Sequence, residues 1–97
     1  MSERRVVRLV VGGRVQGVGF RVFVEDEANL RGLDGWVRNL RDGTVEALIA
    51  GPADQVDEMI EAARRGPPAS KVEAVRVEKA DAVELIGRSG FLTLPTA

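Results

Sequence analysis

The sequence contains no cysteine, no histidine and no tyrosine. Without cysteine there is no disulfide framework and no thiolate nucleophile. Without histidine, neither Ser-His-Asp nor Cys-His catalysis can be assembled within this chain. Zinc sites built from imidazole or thiolate are excluded, and so are phosphocysteine and phosphohistidine intermediates. Any chemistry must use guanidinium, ammonium, carboxylate, amide, hydroxyl and backbone N–H groups. Aromatic residues are scarce as well, one Trp and three Phe, which argues against a sheet that stacks RNA bases.

A charge surplus is also missing. Fourteen basic residues face 15 acidic ones, for a net charge of −1 and a pI near 5.5. Nucleic-acid binders normally carry a basic surplus or stripe, so no nucleic-acid partner is expected. The apolar stretch Val6 to Val11 is short and carries Arg8. It is too brief for a signal peptide or a membrane span, and the expectation is a cytoplasmic protein without a membrane partner. What is present is a globular composition, 44% hydrophobic and 30% charged over 97 residues. That predicts one domain spanning residues 1–97 with a core that needs no staples, and a monomer.

Local patterns predict the elements. Val6, Val7, Leu9, Val10 and Val11 form a β-branched run that reads as a strand bounded by Gly12-Gly13. From Phe20 the period changes: Phe20, Val24 and Ala28 recur every four residues, one face of a helix that Gly32 would stop. Gly35–Leu40 and Thr44–Ile49 read as two strands around Asp42-Gly43, a strong hairpin signal. Pro52 opens a second helix with its stripe at Val56, Met59, Ile60 and Ala63. Lys71–Glu78 alternates imperfectly around Val72, Val75 and Val77, a strand that a bulge would reconcile. Residues 80–90 read as loop and Phe91–Leu94 as a short closing strand. The order is βαββαβ plus that last strand, an α+β ferredoxin-like split βαβ sandwich with two helices on one face of an antiparallel sheet.

This topology matters for function. A strand, a crossover helix and a second strand run the same way, so residues Arg14–Arg21 and residues near Asn39 should share one edge. The segment Val15-Gln16-Gly17-Val18-Gly19-Phe20 joins a strand to a helix N-terminus, where orphan N–H groups and a partial positive charge favour an anion. Gly17 and Gly19 can take left-handed conformations that let successive amides converge. The glycines serve a tight turn equally well. Walker A fails, because Val18-Gly19 stands where Lys and Ser/Thr belong, and the dinucleotide fingerprint fails at Val22. Arg21 tips the balance towards anion binding. A cation in the first helical turn opposes the macrodipole by about 0.3–1 kcal/mol, and its fork can hold two phosphate oxygens. Asn39, late in a strand where Asn is disfavoured, either serves the hairpin edge or offers an amide that donates and accepts at once. Glu25-Asp26-Glu27 and Asp54, Asp57, Glu58 and Glu61 read as solvated helix faces, with no metal-site spacing. Trp36 and the phenylalanines read as core, and Arg14 as exposed.

Gly13-Arg14-Val15-Gln16-Gly17-Val18-Gly19-Phe20-Arg21 closely resembles the acylphosphatase signature. Gly35-Trp36-Val37-Arg38-Asn39-Leu40 with Asp42-Gly43-Thr44-Val45-Glu46 resembles that family's second motif, at a similar spacing. Pro67-Pro68-Ala69-Ser70 and Phe91 extend the resemblance over nearly the whole chain, although the tail Leu92–Pro95 is less charged than that family's. The resemblance implies a hydrolase that splits acyl phosphates into a carboxylate and inorganic phosphate without cofactor or metal. By the same implication the Val15–Phe20 backbone cradles the phosphate, Arg21 binds it, and Asn39 positions the attacking water. Inorganic phosphate would then bind as product or competitor. The competing expectations are a domain that binds phosphate or acyl phosphate without turnover, and an interaction domain using a sheet edge.

Overall fold

The computed structural model describes residues 3–81, 85 and 89–97. The elements are β1 (Arg4–Arg14), α1 (Phe20–Leu30), β2 (Asp34–Asn39), β3 (Val45–Pro52), α2 (Ala53–Arg65), β4 (Lys71–Lys79) and β5 (Phe91–Thr93). The strands form one sheet in the order β4-β1-β3-β2-β5. The first four pair antiparallel. β5 pairs parallel with β2, so the sheet is mixed rather than wholly antiparallel. The expected loop over residues 80–90 falls largely outside the described residues.

The fold follows from side-chain parity. Alternate strand residues face opposite sides, and the odd positions Val7, Leu9 and Val11 of β1, Val37 of β2, and Val45, Ala47 and Ile49 of β3 pack with both helices. α1 contributes Phe20, Val24 and Ala28, and α2 contributes Val56, Met59, Ile60 and Ala63. Burying each larger apolar side chain is worth roughly 1.5–3 kcal/mol. The opposite face holds a smaller cluster of Trp36, Leu48, Ala50 and Leu85. Trp36 is therefore buried, but outside the main core. The Arg38 guanidinium lies 4.7 Å from its ring centroid and donates from Nε to Glu46 at 2.7 Å.

β1 does not stop at Gly12-Gly13. It continues to Arg14, opposite an irregularity in β4: Gly12 pairs with Ala74 and Gly13 with Val72, leaving Glu73 as the extra residue. That bulge returns Val72 to the same side as Val75 and Val77, all three packed on the main core, and explains the imperfect alternation. Gly13 has φ +121°, and a Cβ there would collide with the Lys71 carbonyl oxygen. Only glycine permits this approach of two backbones. Pro52 ends β3 and caps α2, one position earlier than the first helical turn.

Candidate active site

β1 and β2 are each antiparallel to the β3 strand between them. They therefore run in parallel and finish at the same end of the sheet, where the loop 15–19 meets the turn 40–44. Val15 and Phe20, each 1% exposed, anchor the two ends of that loop in the core, and Val18 packs against it. Between them Gly17 and Gly19 have φ values of +74° and +81°. Gly19 is the N-cap of α1, and no side chain caps the helix. The first helical turn holds no acidic residue. Its orphan N–H groups thus meet no competing carboxylate of their own helix, the condition for accepting an external anion.

Arg21 follows the buried Phe20 and is half-buried. Among the described residues no hydrogen bond or ion pair engages its guanidinium. Most other arginines are committed: Arg4 to Asp34, Arg5 to Asp57, Arg31 to Glu27, Arg38 to Glu46. Asn39 is the last residue of β2. Its Oδ1 is buried without a hydrogen-bond partner among the described residues. A buried acceptor left unmet costs about 1–3 kcal/mol, so the amide is poised for a ligand or a water.

The loop and the turn are joined directly. Gln16 Nε2 donates to the carbonyl oxygens of Leu40 at 2.7 Å and Thr44 at 2.9 Å. The turn is further shaped by Asp42, whose Oδ1 accepts from Thr44 Oγ1 at 2.6 Å and from Thr44 N at 3.0 Å. The Thr44 hydroxyl, then its backbone N–H, hold the Asp42 carboxyl below the usual carboxylate range. On the outer side, Ala97 N donates to Asn39 O at 3.0 Å and Arg41 N to Ala97 O at 3.1 Å. The backbone carrying Asn39 is thus held from both flanks.

The Acylphosphatase family model matches residues 7–91. The chain belongs to the acylphosphatase family. It is 50% identical over 97 residues to an acylphosphatase of Bradyrhizobium diazoefficiens, covering 97% of this chain and 98% of the relative. An acylphosphatase of Caldivirga maquilingensis is 53% identical over 79 residues, covering 80% and 83% of the two chains. The crystal structure of acylphosphatase from Bacillus subtilis superimposes with a TM-score of 0.86 at 42% identity, covering 95% of this chain and 99% of that one. The protein is accordingly a hydrolase of acid anhydrides that acts on small acyl phosphates and releases phosphate.

Of the residues singled out in the sequence, Val15–Phe20, Arg21 and Asn39 lie at this end of the acylphosphatase fold, whereas Asp54 and Asp57 lie at the opposite end, where α2 begins beside the start of β1. The side chain of Gln16 is what sequence reasoning missed. A glutamine in a glycine-rich loop carries no periodic or spacing signal, and its reach to Leu40 and Thr44 exists only in three dimensions. The Asp42–Thr44 pairing did have a signal, an Asp two residues before a Thr across a turn. Glu25, expected to be solvated, accepts from Thr93 Oγ1 at 2.7 Å. Among the described residues no group of three or more Asp and Glu side chains is placed to hold a metal ion. No helix among them is long and apolar enough to cross a membrane.

Proposed function

We propose that the enzyme hydrolyses its acyl phosphate by direct attack of water on phosphorus, with Arg21 and the 15–20 backbone holding the phosphoryl group and Asn39 holding the water. In this reading the amides of Val15, Gln16, Gly17, Val18, Gly19 and Phe20 converge on the phosphoryl oxygens. Arg21 adds a two-pronged charge-assisted contact. Phosphoryl transfer spreads charge over three oxygens in a loose transition state, so positioning and electrostatics supply most of the acceleration. The new bond runs from water oxygen to phosphorus, and the bond from phosphorus to the acyl oxygen breaks, releasing the carboxylate. Asn39 has no useful basicity. It aligns the water in-line through its Oδ1, and the proton passes to a phosphoryl oxygen.

The observation that carries this reading is the buried, unmet Oδ1 of Asn39, next to the turn that Gln16 ties to the loop leading into the uncapped helix. Hydrolysis in ¹⁸O-labelled water tests it. Label in the phosphate is expected, whereas label in the carboxylate would mean attack at carbonyl carbon and would overturn the mechanism. Full activity after exhaustive chelation is expected, and loss with rescue by Mg²⁺ would contradict a metal-free route. The same reading makes the protein a cytoplasmic monomer with no nucleic-acid or membrane partner; light scattering at assay concentration checks the oligomeric state.

A further inference from the structure

The mechanism above uses only the backbone N–H of Gln16 and leaves its side chain without a task. That side chain spends both hydrogens of one amide nitrogen on the β2–β3 turn, at Leu40 O and Thr44 O. Leu40 directly follows Asn39. Thr44 directly precedes Val45, the residue paired with Asn39 across the ladder. Thr44 O accepts from Leu40 N as well, at 2.9 Å. Gln16 therefore fastens the hairpin at the point where it leaves the sheet, one residue beyond the Asn39 amide.

The two sides of this link are unequally anchored. Buried Val15 and Phe20 hold the loop, with Val18 packed on the core. The turn residues Arg41, Asp42 and Gly43 are exposed, and the nearest fully buried side chain after them is Val45. Removing the Gln16 amide should loosen the turn more than the loop. Both acceptors are carbonyls, so the link needs two donor hydrogens on one atom at this reach. Leucine offers none, and an ionised glutamate would set its charge against both carbonyl oxygens. A protonated glutamate can donate one bond.

We infer that Gln16 is a positioning residue that sets the Asn39 amide against the phosphate-binding loop, acting on the attacking water rather than on the hold on phosphate. This rests on the assignment of Asn39 to the water. The test is steady-state hydrolysis of an acyl phosphate such as benzoyl phosphate, with inhibition by inorganic phosphate, for wild type, Gln16→Leu, Gln16→Glu, Asn39→Ala and the Gln16→Leu/Asn39→Ala double variant. Gln16→Leu should lower kcat about 10- to 100-fold while the phosphate inhibition constant moves by less than about threefold, a split that marks lost transition-state positioning. The double variant should lose no more than a few-fold beyond Asn39→Ala, because residues acting as one unit are not additive. Gln16→Glu should regain kcat relative to wild type as pH falls through the glutamate range, about 4–5, as its carboxyl becomes a donor. It also serves as the decisive variant should Gln16→Leu fold poorly.

A phosphate inhibition constant that rises in step with the loss of kcat would overturn the inference, since Gln16 would then act on the loop. Unchanged kcat in Gln16→Leu beside a defective Asn39→Ala would overturn it while leaving the site assignment standing. Full activity in Asn39→Ala would instead remove the assignment on which it rests.

Discussion

Asn39 stands opposite Val45 in the β2–β3 ladder, and Val45 is completely buried in the core beneath the helices. Directly paired residues share a face of the sheet, so the Asn39 side chain rises from the helix-covered face. There its Oδ1 is buried without a partner among the described residues. Asn39→Ala should lower kcat about 100-fold and leave inhibition by phosphate nearly unchanged, consistent with a role confined to the transition state. It should not destabilise the fold, because removing an unmet buried acceptor relieves its desolvation cost. Paired urea unfolding and turnover measurements check both halves, and a variant that lost stability and activity together would point to a merely structural asparagine.

Gly19 separates conformational strain from crowding. A Cβ placed there meets nothing within 4 Å, yet φ is +81°. Gly19→Ala should therefore cost roughly 1–2 kcal/mol of stability, the penalty of a left-handed L-residue. Its turnover should fall more steeply than that loss suggests, because relief of the strain re-aims the loop amides. Denaturant unfolding and phosphate inhibition measured on the same preparation give the two numbers.

Thr44 predicts a pH dependence. Its hydroxyl and N–H hold the Asp42 carboxyl below the usual range. A depressed folded value means stability that is fully present above the unfolded carboxylate value, near 3.9, and is lost as pH falls through the folded value. Thr44→Val removes the hydroxyl donor and should be less stable than wild type at neutral pH. The gap should narrow below about pH 4, where Asp42 becomes protonated in both. A gap independent of pH would assign the effect to packing.

Much of this was legible in the sequence because parity and turn chemistry act locally. The stripe Phe20, Val24, Ala28 placed α1, and Asp42-Gly43 placed the hairpin. The imperfect alternation of Val72, Val75 and Val77 foretold the β4 bulge. The glycines at 17 and 19 and the misplaced cation Arg21 marked the loop. What stayed hidden depends on contacts between distant segments. The continuation of β1 through Gly12-Gly13 is stabilised by pairing with β4, which no local rule reports. The parallel docking of β5 on β2, the Trp36–Arg38 stack on the far face and the Gln16 link likewise require the assembled sheet.

If a guanidinium at the start of α1 holds the phosphate, Arg21→Ala removes that hold. Measured as kcat/KM on an acyl phosphate, with Arg21→Lys beside it and folding verified by thermal unfolding, Arg21→Ala should lose about 1000-fold, the scale of removing a main transition-state donor. Arg21→Lys should recover little, because an ammonium cannot reproduce the planar fork. Near wild-type turnover by a folded Arg21→Ala would mean that the phosphate is held without this guanidinium.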